Sequence, residues 1–188
     1  FISRVVQNEV LFSSGRRIAG DQLTSMGDAI IGLKYGIRQN KALVIRSSKL
    51  FGIPSGNAKG GDSENLKSGD GEFNQLLLID VGYNFSSPLY INISLGFNNR
   101  TNNFSDEIHS RAEIGYAMKK VSLSFSSNIV QSLMNGSKDE DIVTGIFSKN
   151  AEFIALGPEV FLNLTHKLGF TFSYQTALSA RSIIAEPA

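Results

Sequence analysis

Cysteine and tryptophan are absent from the 188 residues, and histidine occurs only at His109 and His166. Without cysteine there is no disulfide framework, no thiolate nucleophile and no Cys-based zinc site, and two histidines are too few for an all-histidine metal centre. No cofactor, metal site or catalytic residue is therefore expected. Charge of one sign is also missing: 18 Lys and Arg face 17 Asp and Glu, a net +1 that excludes the basic footprint of a nucleic-acid binder. The longest apolar runs, such as Leu76-Leu77-Leu78-Ile79 and Ala29-Ile30-Ile31, fall far short of the roughly 20 residues of a membrane-spanning helix.

What the chain does have is alternation. Leu89, Ile91, Ile93, Leu95 and Phe97 fall on one face of an extended segment, and Tyr90, Asn92, Ser94, Gly96 and Asn98 on the other, because strand side chains have period two. The split recurs at Ile108, Ala112, Ile114, Tyr116 and Met118 against His109, Arg111, Glu113, Gly115 and Ala117. It recurs again at Val121, Leu123, Phe125 and Ile129 against Ser122, Ser124, Ser126 and Asn128. Segments around Ile31, Leu77 and Phe170 obey the same rule, residues 152 to 165 and 2 to 12 follow it less cleanly, and Lys49 sits in phase with Leu43, Ile45 and Phe51, at a bulge or an interfacial position. The pattern predicts about nine strands of about ten to thirteen residues, long against the usual five or six.

The joins alternate as well. Short turns are expected at 39–41, 86–88, 119–120 and 166–167, and long polar joins at 13–27, 54–72, 99–106 and 134–151, none with a helical pattern. An antiparallel meander with one apolar face buries that face in a soluble barrel or sandwich or turns it to lipid in a membrane barrel. Two features favour lipid. The polar face is mostly Ser, Asn and Gly, which suit a confined lumen, and an Arg or Lys facing lipid near the midplane costs about 2 to 4 kcal/mol, whereas Lys34, Arg38, Arg111, Glu113 and Arg181 all fall in the polar phase. Tyr35, Phe51, Tyr83, Phe85, Phe97, Tyr116 and Tyr174 are placed near strand ends, where aromatic girdles would lie.

The expected architecture is all-β: an antiparallel up-and-down transmembrane β-barrel in a single domain over 1–188. An even strand count would bring both termini to one side, whereas the strand at 168–181 ends on the other. The chain is therefore expected to be part of a larger even-stranded barrel, incomplete at one or both ends.

Three local features in order carry a resemblance: Ser25-Met26-Gly27-Asp28 leading into Gly32-Leu33-Lys34-Tyr35, then Leu50-Phe51-Gly52-Ile53-Pro54-Ser55-Gly56, then Ser68-Gly69-Asp70-Gly71 before the strand that contains Leu77. Over residues 25 to 100 this resembles the outer-membrane barrel family named for the meta pathway of phenol degradation, whose members look like transporters of small, often aromatic compounds. The resemblance implies a barrel in the cell outer membrane of a Gram-negative bacterium, acting as a passive-diffusion channel for small, aromatic or hydrophobic solutes. Its partners would be the lipid bilayer, lipopolysaccharide and a small-molecule solute, with no nucleic acid. The alternative is a non-transporting barrel that anchors or joins a larger outer-membrane assembly through its long loops.

The lumen-lining candidates are Lys34, Arg38, Arg46, Asp80, His109, Arg111, Glu113 and Arg181. Rings of charge tune pores, and the plainer expectation for His109, Arg111 and Glu113 is an ion-pair network that compensates inward charge. A Ser124 or Ser126 nucleophile with a His109 base has no orienting acid fixed by spacing. The Asp139-Glu140-Asp141 run and Asp62, Glu64, Asp70 and Glu72 lack the twelve-residue spacing of a calcium loop and read as solvated charge. Inward glycines at 32, 36, 82, 96 and 115 relieve crowding and permit curvature.

Overall fold

A computed structural model describes residues 2–7, 10–11, 17–18, 20–62, 66–138, 148–165 and 168–182. The Asp139-Glu140-Asp141 run, Glu64, the 166–167 turn and the last six residues of the sequence lie outside them. The strands are β1 (Ile2–Gln7), β2 (Val10–Leu11), β3 (Arg17–Ile18), β4 (Asp21–Met26), β5 (Ala29–Gln39), β6 (Leu43–Ile53), β7 (Asn74–Asn84), β8 (Leu89–Arg100), β9 (Glu107–Ala117), β10 (Val121–Ser132), β11 (Glu152–Thr165), β12 (Leu168–Ser173) and β13 (Thr176–Arg181). A single 3₁₀ turn, Ser148–Asn150, precedes β11, and no α-helix is described.

Strands β5 to β11 form an antiparallel meander in which each pairs with the next, and β11 pairs with β12 along one half and with β13 along the other. The sheet curls like half a barrel. No ladder joins β5 to β12 or β13 among the described residues. The expected join at 13–27 is corrected in part: Asp21–Met26 is a strand that pairs with β1, so the chain enters β5 as an extension of β4 past Gly27-Asp28. The loop between β6 and β7 docks on that extension. Asp28 accepts from the backbone N–H of Gly56 at 2.9 Å and of Asp70 at 3.1 Å, and Ser68 Oγ donates to the Met26 carbonyl at 2.9 Å.

The register fixes which residues share a face. One row runs Gly36, Arg46, Asp80, Ser94, Arg111, Asn128, Ala155, and the next runs Tyr35, Ser47, Ile79, Leu95, Ser110, Ile129, Ile154. The first kind of row is the covered, concave side: Ser48, Asn98, Glu107, Ser126 and Ser132 are all buried. The second kind is the convex side, where Ile93 is 54% exposed, Ile114 51% and Phe125 48%. These three do not meet in a dry centre. Among the described residues the one buried hydrophobic side chain is Leu66, in the loop beyond β6. The usual arrangement of a soluble domain is inverted, since apolar burial is the main drive to fold in water.

The strand expected at 168–181 is broken into β12 and β13 at Tyr174 and Gln175, for a local reason. A residue's N–H and C=O leave a strand on the same side, and Pro158, which accepts from the Tyr174 N–H at 3.1 Å, has no N–H to return. The ladder stops there. The Tyr174 carbonyl occupies the space that a Cβ on Gly157 would fill, so the break depends on glycine at 157. Lys49 is also resolved. The register is regular through it, so no bulge is involved; it stands in the convex row with Leu33 and Leu77, and its Nζ lies 5.1 Å from the Phe51 ring centroid, toward the loop end of β6. Its alkyl stem covers apolar surface while the ammonium reaches toward the rim.

Candidate functional site on the concave face

The concave face is built by the even-numbered residues of β5 to β8 and the odd-numbered residues of β9, which is why six of the eight expected residues gather there: Lys34, Arg46, Asp80, His109, Arg111 and Glu113. The other two are corrections. A bulge at Ile37 shifts the β5–β6 register, so Arg38 stands opposite Ile45 in a convex row, one residue from the end of its strand. A second shift in the β11–β13 ladder sets Arg181 opposite Glu152 at the extreme end of β13, 3.8 Å from its carboxylate. There Arg181 lines a cleft with Met134, Lys138 and Asn150. Counting by twos fails across a bulge, because the extra residue reverses the phase of everything after it.

Three charge arrangements occupy the concave face. Midway, Arg111 donates to Glu113 at 2.8 Å, and Asn92 Nδ2 donates to the other Glu113 oxygen at 3.3 Å. Beside them Asp80 accepts the Ser94 hydroxyl at 2.5 Å. Toward the loops lies the most enclosed group, which the sequence reading missed: Glu72, Asn98, Arg100 and Glu107. The Arg100 guanidinium forks onto Glu72, Nε to Oε2 at 2.7 Å and Nη2 to Oε1 at 2.7 Å, and donates through Nη1 to Glu107. Glu107 also holds Asn98 Nδ2 at 3.1 Å and His109 Nε2 at 2.9 Å. The Phe104 ring lies over the guanidinium at 4.6 Å. Extending the phase of His109, Arg111 and Glu113 by one step reaches Glu107, and that of Asn98 reaches Arg100, so the signal was present at the strand ends.

One expectation changes: Glu72, read as solvated charge, is buried. His109 stands opposite Gly96 and Val130, whereas Ser126 stands opposite Glu113, four residues farther along β10, so His109 and Ser126 do not meet as base and nucleophile. Asp62, Asp70 and Glu72 do not converge; Glu72 is taken up by Arg100. Among the described residues no three His, Asp or Glu side chains gather to hold a metal.

Above this group the loops after β8 and β10 are sewn together. Ser105, with no exposed surface, donates to Asn135 Oδ1 at 2.9 Å and accepts from Ser132 Oγ at 2.8 Å. Asn135 Nδ2 donates to Asp106 at 2.8 Å, and the Arg100 N–H and Asn99 Nδ2 also donate to that carboxylate. The Asn135 amide, then the Arg100 N–H, hold the Asp106 carboxyl below the usual carboxylate range. A carboxylate so held stabilises the folded loops above about pH 4, and the contribution is lost as pH falls through its depressed value. Limited proteolysis by an acid protease should therefore cut the 101–106 and 133–138 loops faster as pH drops below about 4, and Asp106→Asn should flatten that dependence.

The family described as "Putative MetA-pathway of phenol degradation" matches residues 1–185. No curated protein and no solved structure matches the chain.

Proposed function

Because the chain belongs to the family described for the MetA pathway of phenol degradation, we propose that it is an outer-membrane β-barrel that admits small solutes by passive diffusion along its concave face. The observation that carries this reading is the inverted exposure: bare leucine, isoleucine and phenylalanine outside, serine, asparagine, glycine and ion pairs within. Strands of 11 or 12 residues such as β7 and β8, tilted by about 40°, rise about 28 Å, close to the apolar band of an outer-membrane barrel.

Charge placement supports the same reading. In β5 to β13, the convex rows carry Arg38, Lys49, Glu152 and Arg181. Arg38, Glu152 and Arg181 lie at or next to a strand end, and Lys49 leans toward one, so each reaches polar headgroups or water rather than the hydrocarbon midplane. On the concave face Arg111 pairs with Glu113, and Arg100 with Glu72 and Glu107.

The test is solute entry into liposomes that contain the folded chain. Swelling in a small neutral sugar, absent from protein-free liposomes, supports the channel. Insertion without swelling overturns it in favour of a barrel that serves as an anchor or subunit of a larger outer-membrane assembly.

A further inference from the structure

One part of the concave face lacks the compensation found elsewhere. Lys34 on β5 stands opposite Ser48 on β6, and Arg46 precedes Ser48 by two residues on the same face. Directly opposed residues have Cβ atoms about 5 Å apart and diagonal ones about 7 to 8 Å apart, so the long side chains of Lys34 and Arg46 can converge over Ser48. Neither cation has an ion-pair or hydrogen-bond partner among the described residues, in contrast to Arg100 and Arg111. Asp80, opposite Arg46, accepts from the Ser94 hydroxyl and keeps its charge, so Lys34, Arg46 and Asp80 together carry a net +1. Ser48 is 3% exposed, and its hydroxyl has no partner. A buried hydroxyl without a partner loses the hydrogen bonds that water gave it, so a group that accepts its proton would be stabilised there.

Space and shape point the same way. Gly36, opposite Arg46, has nothing within 4 Å of where its Cβ would be, so the floor across from Arg46 is open. Toward the loops, the same face turns apolar. Leu50 stands opposite Leu76, Leu78 follows on β7, and Gly32 and Gly96 let these side chains lie flat across the neighbouring strands. The site thus offers two cations and a hydroxyl donor beside an apolar ledge.

We infer that Lys34, Arg46 and Ser48, with the Leu50, Leu76 and Leu78 ledge, form a binding site for small organic anions that carry a carboxylate on an apolar body. The inference rests on the concave face being the solute path, but its test reads binding and needs no conduction. Asp80, Arg111, Glu113 and His109 also face this side; Arg111 and Glu113 neutralise each other and Asp80 offsets one cation, leaving one positive charge in excess across β5 to β7.

The experiment is calorimetric titration of the folded chain in neutral detergent micelles with benzoate, benzyl alcohol and benzylammonium as probes, with folding of each variant checked by the gel shift between heated and unheated samples. Saturable benzoate binding is expected, with benzyl alcohol and benzylammonium each at least about tenfold weaker, the loss of one charge-assisted hydrogen bond. Lys34→Gln and Arg46→Gln should each weaken benzoate by at least about tenfold, and Ser48→Ala by a smaller factor. If those variants do not fold, Gly36→Asp leaves both cations in place and sets a rival carboxylate in the open space, and it should abolish benzoate binding. Equal binding of the three probes, no saturable benzoate binding, or benzoate binding unchanged in folded Lys34→Gln and Arg46→Gln, or in Gly36→Asp, overturns the inference.

Discussion

Replacing Arg100 by methionine is expected to cost about 3–5 kcal/mol of folding stability, the usual penalty for removing one partner of a buried ion pair. Methionine preserves much of the length and the apolar stem, so the loss isolates the charge. It is large because Arg100 serves two carboxylates at once: Glu72 and Glu107, with side chains 7% and 9% exposed, would lose their shared cation and face each other across the vacated site. His109, 2.9 Å from Glu107, reaches only the second. The Phe104 ring would also lose its guanidinium. Because the chain has no tryptophan, the change is best followed by urea titration with far-ultraviolet circular dichroism and by the temperature at which the folded gel band disappears. Adding Glu72→Gln and Glu107→Gln to Arg100→Met should recover at least half of the loss, since the penalty is mostly uncompensated charge. A triple variant no more stable than Arg100→Met would mean that the guanidinium acts through packing.

The second large effect separates the faces. Leu95 stands in a convex row between Ile79 and Ser110 and is 59% exposed, and Ser94 stands in the concave row between Asp80 and Arg111. Arginine at 95 should reduce stability in bilayers by about 2 to 4 kcal/mol, the value for a cation at the midplane of a barrel's lipid face. Arginine at 94 should cost far less, because Asp80 is beside it and the face is polar. In water the ranking would reverse: an exposed Leu95→Arg change would be nearly neutral, and a half-buried Ser94→Arg change would be the more harmful. Folding yield into lipid vesicles, measured as the fraction of gel-shifted protein for the two variants, decides between the environments.

The facing of the long strands was readable because one side chain in two must meet each environment, and β7 to β10 hold that phase without interruption. Six of the eight lining residues follow from it. Arg38 and Arg181 do not, because a bulge leaves no mark in composition: nothing in Gly36-Ile37-Arg38 or Leu178-Ser179-Ala180 says that one residue is unpaired. Tertiary pairing sets it. The break opposite Pro158 was readable in principle, since a proline inside a strand removes a ladder donor. The Glu72–Arg100–Glu107 group was missed for a different reason. The period-two phase reaches Arg100 and Glu107 at the strand ends, but Glu72 lies in a loop outside any period, and only the register of β8 against β9 together with the docking of the β6–β7 loop brings the three within hydrogen-bond reach. Strand β4 hid inside a polar join because it pairs with β1, a partner some twenty residues away along the chain.

The central claim is that the convex face lies against hydrocarbon. The absence of cysteine makes it directly measurable, since single cysteines at Ser94, Leu95, Ile114, Phe125 and Ser126 can each carry a spin label with no background site. In lipid vesicles, labels at 95, 114 and 125 should be relaxed strongly by dissolved oxygen and weakly by a water-soluble nickel chelate, and labels at 94 and 126 should show the opposite preference. Nickel accessibility at 95, 114 and 125 equal to that at 94 and 126 would contradict the account.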